Sequence, residues 1–122
     1  PMWDFKSMQG AGAIKSDLND MMKFLSANMS LIEDNPLQKA MDLSHQLQFQ
    51  DTNFGIGLGW HITKIKTGDK VIWHNGATAG FTSFIGFIKD KKVGVVILSN
   101  SSNSVDEPAV LILEKLAYQS KK

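Results

Sequence analysis

The chain has no cysteine and no arginine. Without cysteine there is no disulfide framework and no thiolate metal site, although the compartment stays open because many exported proteins lack the residue. All 13 basic residues are lysines. That argues against nucleic-acid or phosphate recognition built on bidentate guanidinium contacts. Charge of one sign is also scarce: the formal net charge is +1, so no strong field draws the chain to nucleic acid or an anionic membrane. Long apolar runs are missing too. The longest, Val93 to Leu98, is strand length and contains a glycine, so no membrane segment, signal peptide or lipid anchor is legible. The start at Pro1 fits methionine removal before proline. An export signal of a longer parent would lie upstream of it.

What is present suits one α+β unit spanning 1-122, with 43% hydrophobic and 20% charged residues. Residues 1-50 read as mostly helical. Ser16 precedes Asp17, Leu18, Met21, Met22, Leu25 and Met29 at helical spacing, with Ser16 as the expected N-cap. Asp34-Asn35-Pro36 gives a stop and a new start, after which Leu37, Ala40, Met41 and Leu47 line one face of a second helix. The six methionines are expected as adaptable core filler. Residues 55-100 read as an antiparallel meander of about four strands. Gly57 to Lys66 alternates, Thr67-Gly68-Asp69 turns, Val71-Ile72-Trp73 begins a strand that ends at His74, and Thr82 to Ile88 follows a glycine-rich loop. Lys89-Asp90-Lys91-Lys92 is a polar turn into Val93 to Leu98, whose unbroken apolar character predicts burial on both faces. Residues 106-119 read as a terminal helix opened by Asp106-Glu107-Pro108.

Three places invite chemistry. Gly55-Ile56-Gly57-Leu58-Gly59 has neither dinucleotide nor P-loop spacing, and glycines admitting a close backbone explain it better. His45, His61 and His74 lack metal-ligand spacing, so no metal or cofactor is expected, and His61 reads as an exposed strand residue. His74 stands apart because Asn75-Gly76 follows it at once. The stretch Trp73 to Ser83 joins a titratable side chain, a strand edge and unobstructed backbone donors.

The ordered set Gly57-Leu58-Gly59-Trp60, His74-Asn75-Gly76-Ala77-Thr78-Ala79-Gly80-Phe81-Thr82-Ser83, Gly86-Phe87-Ile88 and Gly94-Val95-Val96-Ile97-Leu98-Ser99-Asn100 resembles the C-terminal part of serine β-lactamases and penicillin-binding proteins. Class C β-lactamases, DD-peptidases and related esterases carry such a series, with Lys-Thr-Gly or His-x-Gly on the third active-site strand. Gly10-Ala11-Gly12-Ala13 before Ser16-Asp17-Leu18 resembles the family's glycine-rich lead into a helix. The resemblance implies a partial β-lactamase/transpeptidase-like fold. It casts His74 and the Ala77 amide, an oxyanion donor, as catalytic, and Asn75, Gly76 and Thr78 as substrate-binding. A substrate would add as a strand along this edge.

The departures matter equally. No serine here is followed three residues later by lysine, so the family's Ser-x-x-Lys nucleophile motif is absent from these residues. Ser26-Ala27-Asn28 and Ser101-Ser102-Asn103 match the looser second motif but sit in the wrong order, and Tyr118 lies in the terminal helix. The chain alone is therefore expected to be inactive. Its expected role is to supply part of a parent that cleaves β-lactams, D-amino-acid peptides or esters through an acyl-enzyme. His-x-Gly tilts that parent away from a dedicated β-lactamase. A non-catalytic peptide- or partner-binding module on the same sheet is the alternative. Expected partners are the missing N-terminal part of the fold, or a swapped homodimer through the open edge at Val93 to Leu98, and no nucleic acid. A bacterial periplasmic, extracellular or membrane-anchored parent would fit, although the sequence does not decide the compartment.

Overall fold

A computed structural model describes residues 7–52 and 54–120. Helix α1 (Leu18–Asn28) is capped by Asp17 rather than by the expected Ser16: the Asp17 carboxylate accepts from the Asp20 amide at 2.9 Å. Ser16 sits one residue too early, and its hydroxyl reaches only the Asp17 carbonyl. An anionic acceptor at the positive end of a helix also has the electrostatic advantage. Helix α2 (Gln38–Ser44) is shorter than the apolar spacing predicts, ending before Leu47, and both Leu37 and Leu47 are exposed. The reason lies at its last carbonyl. The Leu58 amide donates to the Ser44 oxygen at 2.9 Å, so the next chain segment takes the place of another helical turn. Gly57 makes this approach possible, because a Cβ there would stand 2.4 Å from the Ser44 oxygen.

The strands form one antiparallel sheet in sequence order: β1 (Phe49–Gln50), β2 (Gly55–Ile56), β3 (His61–Lys64), β4 (Lys70–Thr78), β5 (Phe81–Ile88) and β6 (Val93–Ser99). Six strands replace the expected four or so, because the alternating stretch at Gly57 to Lys66 is not one strand. The Gly57 amide donates to the Trp60 carbonyl at 2.8 Å around Gly59 at φ +76°, which folds β2 back onto β3. Leu58 at this turn is exposed while Trp60 and Ile62 are buried. The Thr67-Gly68-Asp69 turn forms where expected, with Gly68 at φ +84° and its amide on the Ile65 carbonyl.

Helix α3 (Asp106–Gln119) covers one face of the sheet and α1 the other. The pleat of β5 sorts the core between them. Ile85 and Phe87 pack with Leu25, Met29, Trp60 and Ile72 on the α1 side. Phe84 and Ile88 pack with Val71, Ala109, Leu113 and Ala117 on the α3 side. Strand β6 follows the same division, Val96 toward α1 and Val93, Val95 and Ile97 toward α3. Its residues are half-buried, and Leu98 is exposed, which corrects the expectation of full burial: β6 is the last strand of the sheet and pairs only with β5 among the described residues. The methionines depart from expectation as well. Met29 is buried, Met21 and Met41 are half-buried, Met8 and Met22 are exposed, and Met2 lies outside the described residues.

His45 closes the α1 side. It is 5% exposed, sits edge-on to Trp60 and Phe87, and places Nε2 2.8 Å from the Asn28 side-chain oxygen. Asn28 turns its amide nitrogen to the Phe24 carbonyl, so Nε2 carries the ring proton and donates. Nδ1 is left with no partner. Burial, then the Lys89 cation, lowers the imidazole from 6.5 to about 4. The fold therefore holds the neutral ring, whereas an unfolded histidine protonates near its ordinary value.

Two stability changes follow. The contribution of neutral His45 is complete above about pH 6.5 and is lost as pH falls toward 4, a change on the order of 3 kcal/mol. Urea midpoints followed by tryptophan fluorescence should fall over that window, and His45→Gln should flatten the fall; equal slopes in both proteins would reject the account. Gly57→Ala should cost about 1–3 kcal/mol through the clash with the Ser44 backbone, read as a lower Tm.

Candidate functional site

The His-Asn-Gly triplet lies inside β4, not after it. His74 was expected to end a strand, but β5 pairs with β4 residue by residue as far as Thr78↔Phe81, across the two-residue turn Ala79-Gly80 with Gly80 at φ +84°. Strand β3 is shorter and reaches only Lys70–Trp73. Residues His74 to Thr78 are therefore paired with β5 on one side and face no strand on the other among the described residues. This is the open edge the sequence pointed to.

Antiparallel pairing alternates between hydrogen-bonded and non-bonded partners. With Thr78 and Phe81 as the bonded pair that closes a two-residue turn, Gly76/Ser83 and His74/Ile85 are bonded pairs as well. The backbone groups of Asn75 and Ala77 then point away from β5, toward the open edge. The Asn75 carbonyl receives His74 Nδ1 at 2.5 Å, which its outward direction permits. A Cβ at Gly76 would meet the Ser83 hydroxyl at 2.9 Å, so a side chain here would have to displace that hydroxyl. Ala77 is exposed and Thr78 is half-buried beside the turn.

Side chains from two other elements converge here, and neither was legible in the sequence. Asp106, the first residue of α3, accepts from the Asn75 side-chain amide at 2.7 Å across 31 residues of chain. Helix spacing gives no sign of that contact; only the β4–β5 register and the packing of α3 create it. His61 was read as exposed but is half-buried, 4.7 Å from the Trp73 ring and 5.4 Å from the stacked His74 ring. Burial first, then the neighbouring His74, lowers its pKa and keeps it neutral to lower pH than an ordinary histidine.

The loosely matched serines do not join this group. Ser26 Oγ donates to the Met22 carbonyl within α1, and Ser101 Oγ accepts from the Asn103 amide. Among the described residues no group of three His, Cys, Asp or Glu could hold a metal ion, and no helix is long and apolar enough to cross a membrane. Two clefts, about 300 Å³ beside His45 and Lys89 and about 550 Å³ beside Phe54 and Lys64, include no residue of the triplet.

An antiparallel sheet with helices on both faces and a His-x-Gly strand along an open edge belongs with the penicillin-recognising serine hydrolases. The family model described as Beta-lactamase matches residues 1–119, and the chain belongs to that family. It is 28% identical to a beta-lactamase of Psychrobacter immobilis, over 75% of this chain and 31% of that protein. The octameric penicillin-binding protein homologue from Pyrococcus abyssi superposes with a TM-score of 0.75 at 26% identity, over 84% of this chain and 24% of that one. A class C beta-lactamase from Rhodobacter sphaeroides shares the fold at a TM-score of 0.73 and 18% identity, over 88% and 38%. The match therefore covers between 24% and 38% of the length of these relatives.

The alternation makes a direct prediction for the edge. The amide of Ala77 should exchange with solvent much faster than those of Gly76 and His74, measured residue by residue by NMR hydrogen exchange. Comparable protection at all three would mean the open edge is covered or the register differs.

Proposed function

We propose that this chain is the C-terminal part of a serine hydrolase working through an acyl-enzyme, and that it supplies the strand edge on which the acyl donor is held. The observation that carries the reading is the unpaired His74–Thr78 edge with glycine at its centre. A peptide-like substrate pairs with the outward groups of Asn75 and Ala77 as an added strand. The Ala77 amide serves as one of two oxyanion donors, placed where negative charge develops on the attacked carbonyl oxygen. Asn75, Gly76 and Thr78 form the binding surface, and His74 orients the substrate or a proton network beside it.

The nucleophile, its base and the second oxyanion donor come from elsewhere in the parent, since no Ser-x-x-Lys lies in this chain. There the serine oxygen adds to the carbonyl and its proton passes to the leaving amine or alcohol. Water then hydrolyses the acyl-serine to the acid. The substrates are β-lactams, D-amino-acid peptides or esters. The outer edge of β6 receives the rest of the fold, or the same strand of a second copy. Absence of the nucleophile motif also favours a second reading, a non-catalytic module that binds a peptide strand along the same edge.

Fluorescent penicillin or fluorophosphonate should leave this chain unlabelled and label the longer parent on a serine upstream of it. Covalent labelling of a serine within these 122 residues would overturn the assignment of the nucleophile. An unlabelled parent would leave the binding module standing.

A further inference from the structure

We infer that Asp106 sets the substrate preference of the β4 edge, favouring acyl donors that are neutral or cationic beside the scissile bond over those carrying a carboxylate there. The inference rests on the proposed role of that edge. An acid in the first turn of a helix ordinarily serves the helix itself. Asp106 is used differently. Its backbone amide donates to Ser104 Oγ at 3.2 Å, and α3 has no side-chain cap at Val105. The Asp106 carboxylate reaches away from its own helix to the Asn75 amide, 2.7 Å distant.

Two consequences follow from that one bond. The Asn75 side-chain amide, which would otherwise be a donor free to bind a carboxylate, is held by the protein. A carboxylate is also fixed beside the strand whose outward backbone groups meet the substrate. No lysine or arginine in the flanking stretches of chain offsets it. Residues 71–79 and 99–105 contain no lysine, the chain has no arginine, and Glu107 follows Asp106 directly. Ion pairs among the described residues lie at Lys23–Asp20, Lys89–Asp42 and Lys91–Asp69, none of them at Asp106. A substrate carboxylate laid along this edge meets a like charge, while a carboxamide, ester or amine does not.

The test uses the full-length parent and two matched depsipeptides that differ only in a terminal carboxylate or carboxamide. The kcat/KM of each is measured directly, or as protection against fluorophosphonate labelling. The parent should prefer the carboxamide, and the preference should shrink as ionic strength rises. Asp106→Asn should raise the carboxylate-to-carboxamide ratio about tenfold and remove its salt dependence, while Asp106→Glu should keep both. A parent that prefers the carboxylate, or a ratio indifferent to both salt and Asp106→Asn, overturns the inference. The parent's own preference and salt dependence decide the matter even if the variant does not fold. A parent that fluorophosphonate fails to label sinks the hydrolase reading and this inference together; a labelled parent with an indifferent ratio sinks the inference alone.

Discussion

Everything in this structure depends on β5 being buried on both of its faces. Phe87 is 0% exposed and Phe84 is 2% exposed, and they point to opposite sides of the sheet. Each large apolar side chain buried this way contributes on the order of 1.5–3 kcal/mol. Because side chains alternate with a period of two, a slip of one residue would send Phe87 toward α3 and Phe84 toward α1. Gly86 adds a constraint of its own, since a Cβ there would stand 2.6 Å from the Phe84 ring and 3.1 Å from Trp73 Cβ. The register of β5 is thus fixed by packing remote from the triplet. Since His74 to Thr78 are paired only with β5 among the described residues, that packing also decides which backbone groups face outward.

The same sheet leaves two edges open for different reasons. Along β4 the gap arises because β3 stops at His61, where the chain bends through Gly59. Along β6 no strand follows in the sheet order. Leu18, Met22 and Phe24 on α1 and Leu111 and Ile112 on α3 are exposed, although both helices cover the core. The β4 gap differs in composition: its residues 74–78 are His, Asn, Gly, Ala and Thr, with no large aliphatic side chain among them.

Much of this was legible from pattern alone. The glycine series, the turn at Gly68 and the terminal helix all follow from local rules, and the ordered motifs pointed to the family. The failures share a cause. Ser16 against Asp17, the shortening of α2 before Leu47 and the split of β2 from β3 each depend on one hydrogen bond whose partner the sequence does not reveal. Of the triplet, residue identities were legible but not the continuation of β4 to Thr78, because that requires knowing where β5 turns back. Asp106 was invisible as a neighbour of Asn75, since nothing local distinguishes it from any acid that opens a helix.

The histidines show why the charge at this edge is set by geometry and not by composition. His61 and His74 stack with ring centroids 5.4 Å apart, and protonating both would place two cations at that separation. Burial already holds the His61 ring toward its neutral form, and His74 adds to this. A lysine in the place of His74 would bring a permanent cation on a flexible stem; an imidazole brings a planar group with one donor and one acceptor when neutral. His74 directs its Nδ1–H to the Asn75 carbonyl. With Asp106 held against Asn75 on the same strand, the edge offers acceptors from side chains and donors from backbone. That division leaves the outward Asn75 and Ala77 amides as the backbone donors of the open edge, with no lysine or arginine between residues 71 and 79 to compete for an acceptor.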